Sequence, residues 1–268
     1  MPAPPIGGGA SRIRFFMQRW PQTLWIVRHG ESAGNVAREE ADRAGLHRID
    51  IPHRDVDVRL SPLGEEQSAA LGAWFARLPE EERPEVIVCS PYARARQTAE
   101  IILREGGVVG DEPIIYDERL REKEFGILDR LTTAGIRALY PEQAAFRGIL
   151  GKFYHRPPGG ESWCDVILRL RSASDTISLH YEGRRVLIVA HQVVVFCMRY
   201  LLENLDEGKI LAIDREGDIA NCGVTEYRLE PHQRLGGRLR LERFNFTAPL
   251  RQAGAPVTRA PDAKVAAR

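Results

Sequence analysis

The sequence predicts an α/β domain of three layers, with a mainly parallel central sheet flanked by helices. Short β-rich runs alternate with helical patterns along most of the chain, the order that strand–helix–strand units produce. The helices announce themselves through their caps: Ser-Pro pairs, and a Ser with an acid three residues later. The last two β-rich runs follow each other closely enough to form an antiparallel pair.

Leu24–Val27 is the first expected strand. Ser61-Pro62 then places Ser at a helix N-cap and Pro at the first helical position, where its missing N–H costs little. Val86–Cys89 is the second strand, and Ser90-Pro91 repeats the cap pattern. Pro113–Tyr116 is the third. Ser162 with Asp165 resembles a capping box and opens a helix with Trp163, Val166, Ile167, Leu170 and Ile177 on one face. Val186–Ala190, reading VLIVA, is the clearest strand, and Val193–Leu202, apolar nearly all round, is expected as a buried helix. Val224–Leu229 and Leu239–Phe244 form the terminal pair.

At 268 residues, with 43% apolar and 28% charged, the chain can bury a real core and suits one large domain with ragged ends. That domain is expected over 23–246, after a flexible lead-in over 1–22 and before a disordered basic tail over 247–268 that, as a short solvated segment, needs no role. The net charge of +1 argues against a bulk nucleic-acid binder. The basic side is lopsided, with 34 Arg against 4 Lys. The guanidinium is a planar fork suited to phosphate and carboxylate, although arginine-biased codon usage explains most of the 34. Cys89, Cys164, Cys197 and Cys222 show neither C-x-x-C pairing nor zinc spacing. No apolar run approaches a membrane span, and the N-terminus lacks a long apolar stretch before a small-residue cleavage site. A reducing cytoplasm and no membrane partner are the expectation.

Two strands run directly into chemically interesting residues: LWIV into Arg28-His29, and VLIVA into His191. A third, VIVC, enters a helix whose first turn holds Arg94. Ligands collect at the carboxyl ends of strands in open α/β sheets, and helix N-termini there favour anions. Taken singly, His29 is open to reading as nucleophile, general base or structural residue. Two imidazoles with Arg28 and Arg94 could hold one dianionic phosphoryl group through charge-assisted hydrogen bonds.

These residues, read in chain order over roughly 22–230, resemble the histidine phosphatase (phosphoglycerate-mutase-like) superfamily. The likeness rests on Arg28-His29-Gly30 within RHGESAGN, on SPYARARQTAE, on LREKEFG, on PGGES, on His191 and on NCGVTEY at 221–227. The resemblance implies that His29 is the nucleophile forming a phosphohistidine, that Glu122 protonates the leaving oxygen, and that His191 is the second pocket histidine. It also implies phosphate binding by Arg28, Asn35 and Arg94. Ser32 is equally a helix-start residue or a phosphate ligand, and Gln192 could offer only its backbone N–H. Glu118 and Glu124 rival Glu122 on composition; the motif alone selects the latter. No metal or other cofactor is implied, because arginines supply the charge that magnesium supplies elsewhere.

His191 is followed by Gln192 rather than the Gly common in the mutases, and this HQ form, with KFYHRPPGGESW, is similar to fructose-2,6-bisphosphatase domains. Stretches characteristic of the cofactor-dependent mutases are missing. Hydrolysis of a small phosphorylated metabolite is therefore expected over mutase activity, over a catalytically silent phospholigand-binding module and over a nucleic-acid role for the tail. The stretch 37–59 is longer than in compact relatives and is expected as a loop overhanging the pocket. Its His47, Asp50, His53, Asp55 and Asp57 form no standard metal motif. Arg48, Arg54, Lys152 and Arg156 are candidates for a second anionic group on the substrate.

Overall fold

The structure, a computed structural model, describes residues 19–110, 114–231 and 237–261. The sheet has six strands: β1 (Thr23–Arg28), β2 (Val86–Cys89), β3 (Ile115–Tyr116), β4 (Arg185–Ala190), β5 (Val224–Glu230) and β6 (Arg238–Phe246). Their order across the sheet is β3-β2-β4-β1-β5-β6. Among the described residues the helices are α1 (Ala33–Arg43), α2 (Pro62–Ala76), α3 (Ala93–Arg104), α4 (Thr133–Leu139), α5 (Pro141–Tyr154), α6 (Trp163–His180), α7 (Gln192–Leu202), α8 (Glu207–Glu216) and α9 (Ala248–Gln252). The first four are parallel, while β5 runs antiparallel to β1 and β6 antiparallel to β5.

Side-chain alternation along the strands builds the layers. From β1, Leu24 and Ile26 join Val186 and Ile188 in one core, packed under α6 (Trp163–His180) and α7 (Gln192–Leu202). Trp25 and Val27 join Leu187 and Val189 in the other, packed under α2 (Pro62–Ala76) and α3 (Ala93–Arg104). This is the expected three-layer α/β architecture. Among the described residues no helix is long and apolar enough to cross a membrane.

The sheet register sets the site. Arg28 pairs with Ala190, and Cys89 with Val189, so β1, β4 and β2 end at one level. His29, His191 and Ser90 leave the sheet side by side. The backbone holds them there through His29 N–H to the Ala190 carbonyl and Ser90 N–H to the Val189 carbonyl, both 3.0 Å.

Four expectations change. Ser90 does not cap a helix: α3 begins at Ala93 with Tyr92 at its N-cap, because Ser90 still belongs to the sheet register and its hydroxyl is shared with His191. The stretch expected as a loop over 37–59 starts inside α1 (Ala33–Arg43), which a Ser32–Asn35 capping box initiates. The third strand is only Ile115–Tyr116, and Pro113 lies outside the described residues. Within 247–268, α9 (Ala248–Gln252) buries Pro249 and Leu250, and the chain up to Pro261 packs on the domain rather than leaving it. Residues 1–18 and 262–268 of the expected tails lie outside the described residues.

Candidate active site

His29 is fully buried, and its two ring nitrogens have distinguishable partners. Nδ1 lies 2.7 Å from the Gly30 carbonyl oxygen, and Arg94 Nε lies 3.2 Å from Nε2. A carbonyl can only accept and a guanidinium can only donate. The proton therefore sits on Nδ1, and Nε2 carries a lone pair. The two contacts fix a neutral ring in one tautomer.

The His29 loop is pressed onto two helices. Gly30 N–H donates to Thr98 Oγ at 3.0 Å, and Thr98 in turn donates to the Arg94 carbonyl in α3. A Cβ at Gly30 would run into the Gly64 carbonyl in α2 and lie 2.8 Å from Ser68 Oγ. Only glycine fits this approach.

His191 shares a 2.8 Å hydrogen bond between Nε2 and Ser90 Oγ. Its ring stands edge-on to that of His29, with centroids 5.1 Å apart, and to that of Tyr92 at the same separation. As the N-cap of α7 it makes no side-chain cap bond. The Glu122 carboxylate sits at that helix start, with Oε2 3.5 Å from Val193 N–H and Oε1 accepting from Lys123 N–H at 2.7 Å. A helix N-terminus favours such an anion. Glu122 is buried, whereas Glu118 and Glu124 are exposed.

Arg28 and Arg94 are both buried. Arg28 donates to the Ile219 carbonyl at 2.7 Å and the Ala260 carbonyl at 2.6 Å. Arg94 donates to the Asp55 carbonyl at 2.7 Å and pairs with the Asp55 carboxylate at 3.1 Å. Asn35 donates from Nδ2 to the Ala260 carbonyl at 3.0 Å, while its Oδ1 accepts from Ser32 N–H at 2.9 Å. Ser32 is thus the N-cap of α1: its hydroxyl donates to Asn35 Oδ1 and accepts from Asn35 N–H. Gln192 donates from Nε2 to Asp218 at 2.9 Å, and among the described residues its buried Oε1 has no hydrogen-bond partner.

The four arginines and lysines expected to meet a second anionic group do not form that set. Lys152 Nζ is paired with Asp214 at 2.5 Å, and Arg156 is paired with Asp165. Arg48 and Arg54 are exposed within the 45–60 loop. The structure instead buries Lys123 next to Glu122, with Nζ 4.3 Å from the Phe125 ring centroid. Burial, with Arg147 nearby, holds the Lys123 ammonium down to about 8. Burial, Arg147 and Lys123 together also lower His155, whose buried Nε2 has no hydrogen-bond partner among the described residues. Lys123, Arg147 and His155 therefore lie close enough to act on one another's charge, with Lys123 next to Glu122. Lys123 was visible in LREKEFG but gives no signal of burial there. In sequence Ser90 reads as a cap, and Asp55 as one of several loop acids. Among the described residues no three His, Cys, Asp or Glu side chains gather as a metal site.

The family model for the histidine phosphatase superfamily, branch 1, matches residues 24–242. A probable phosphoglycerate mutase of Photorhabdus laumondii is 32% identical over 216 residues, covering 78% of this chain and 86% of that protein. The 6-phosphofructo-2-kinase/fructose-2,6-bisphosphatase of Caenorhabditis elegans is 32% identical over 193 residues, covering 70% of this chain and 36% of its own length. The chain spans about half the length of the mycobacterial relatives it matches. Among solved structures, mycobacterial glucosyl-3-phosphoglycerate phosphatase with inorganic phosphate superposes with a TM-score of 0.64 at 26% identity, covering 85% of this chain and 99% of that one.

Proposed function

We propose, from the premise that the chain belongs to the histidine phosphatase superfamily, branch 1, that it hydrolyses a small phosphomonoester through a phosphohistidine on His29. The observation that carries this reading is the pair of contacts on the His29 ring: Nδ1 faces the Gly30 carbonyl, and Nε2 accepts from Arg94 Nε beside the His191 ring. A buried imidazole so fixed is a ready nucleophile.

Nε2 attacks phosphorus, the bond to the leaving oxygen breaks, and Glu122 gives that oxygen a proton. The developing charge on the phosphoryl oxygens is met by Arg28, Arg94, Asn35 and His191, donors held in place before the reaction begins. Water then attacks the phosphohistidine, losing its proton to Glu122, and inorganic phosphate leaves. The arginines provide the positive charge that a metal ion provides in other phosphoryl-transfer sites.

Glu122 marks the leaving-group side, and Lys123 beside it lies within the electrostatic reach of Arg147 and His155. Burial holds all three below their ordinary basic range even with Glu122, Glu124 and Glu161 acting on Lys123 and Asp214 acting on Arg147, so a further anion there is favoured. This supports a substrate whose alcohol half carries a second anionic group, as a phosphorylated acid or a bisphosphate does. The test is phosphate release from a panel of phosphate esters in the presence of EDTA, with His29→Ala as the blank. Release that His29→Ala abolishes supports hydrolysis. Interconversion of 2- and 3-phosphoglycerate without release would make the chain a mutase, and phosphate binding without any turnover would make it a binding module.

A further inference from the structure

We propose that the C-terminal strap, residues 255–261, is a working part of the phosphate site, its Ala260 carbonyl aligning Arg28 and Asn35 for the phosphoryl group. This inference rests on the functional reading above.

The strap begins where α9 stops. Gly254 takes a φ of 74°, in the left-handed region where glycine ends helices, and Pro256 prevents the helix from resuming. Ala255 and Val257 pack against the core beneath α2, and Pro261 is buried. The segment is seated by packing before any polar contact is counted.

Its polar contacts lead to the catalytic residues directly and through two buried amides. The Ala260 carbonyl accepts from Arg28 at 2.6 Å and from Asn35 at 3.0 Å, two donors expected to meet phosphate. With the Ile219 carbonyl on the other terminal nitrogen, the plane of the Arg28 fork is set from both ends. Two buried amides then tie strap and loop together. Gln67 accepts from Glu31 N–H at 2.8 Å and donates to the Pro256 carbonyl at 2.9 Å and to Thr258 Oγ at 3.0 Å. Asn221 donates to the His29 carbonyl at 3.1 Å, and its Oδ1 accepts from Thr258 Oγ at 3.0 Å. Asn221 N–H also donates to the Thr258 carbonyl at 2.9 Å. Each amide therefore holds the segment after β1 with one end and the strap with the other.

A carbonyl cannot leave with the product or take a proton, so the strap acts by orientation. Misplacing a phosphate donor by an ångström costs large factors in rate. Ala260 is accordingly a positioning residue, and Thr258 its anchor.

Two C-terminal deletions test this. One lacks 262–268 and keeps Ala260 and Pro261; the other lacks 260–268 and keeps Val257 and Thr258. Binding of inorganic phosphate is read by calorimetry, KM and kcat with p-nitrophenyl phosphate, and Tm by thermal melt. The first deletion is expected to match the full chain. The second is expected to weaken phosphate binding and raise KM about tenfold at nearly unchanged Tm, the loss set by one charge-assisted hydrogen bond. Thr258→Val should weaken both in the same direction and Thr258→Ser should not, a comparison that stands even if the longer deletion fails to fold. If the full chain is active and the two deletions behave alike, or the longer one binds phosphate more tightly, the strap is ornament or plug and the proposal is wrong. If the full chain neither turns over esters nor binds phosphate, the functional reading fails and takes the strap with it.

Discussion

The Asp55 carboxylate closes on the Arg94 guanidinium at 3.1 Å, while Arg94 itself is 1% exposed and Asp55 40% exposed. An acid from the 45–60 loop thus engages the same guanidinium that donates to His29. A phosphate dianion arriving at Arg94 must share it with that carboxylate or displace it. With the guanidinium buried and the carboxylate partly open to solvent, which screens it, the pair contributes on the order of 1 kcal/mol. Asp55→Ala is therefore expected to tighten inhibition by inorganic phosphate about fivefold, measured as the inhibition constant. An unchanged or weakened constant would mean that Asp55 holds Arg94 in place rather than competing for it.

Ser90 meets His191 at 2.8 Å and caps no helix. Ser90→Ala should lower kcat about tenfold and leave KM within about twofold, since the bond orients one imidazole and touches no substrate atom. Steady-state kinetics separates the two constants. A rise in KM alone would place Ser90 in ground-state binding.

Lys123 gives the site a pH dependence. Its ammonium is held down to about 8 by burial and by Arg147. It is charged below that pH and neutral above it, so attraction for an anionic leaving group fades as pH rises through 8. KM for 3-phosphoglycerate should rise above pH 8 relative to KM for p-nitrophenyl phosphate, which lacks the second anion. Lys123→Met should flatten that ratio across pH, its value already raised about tenfold. A ratio that stays constant in the parent chain would remove Lys123 from substrate recognition.

Gly30 faces the Gly64 carbonyl with no room for a Cβ. Gly30→Ala forces the His29 loop away from α2 and should cost about 2–3 kcal/mol of stability, as overpacking of a tight site does. Chemical denaturation measures it. A loss below about 0.5 kcal/mol, within the range of a surface change, would show that the loop can yield.

Strands were legible where apolar runs are long: VLIVA gave β4 to within one residue. His29 and His191 were legible because each follows such a run, and strand ends are where open sheets gather ligands. The role of Ser90 is hidden because Ser-Pro after a strand looks the same whether the hydroxyl caps a helix or reaches a neighbouring histidine. The strap was illegible for a deeper reason. Pro256, Thr258 and Ala260 act largely through backbone carbonyls, which every residue possesses, so no side-chain pattern marks them. Burial likewise separates Glu122 from Glu118 and Glu124, and Lys123 from the exposed basic residues, only once the chain is folded.

The most direct measurement is a rapid alkaline quench of the enzyme during turnover of p-nitrophenyl phosphate, followed by peptide mass spectrometry. A phosphoryl group on His29, stable in base and lost in acid, is the predicted result. Turnover with no adduct on His29, or with the adduct on another residue, would contradict the account.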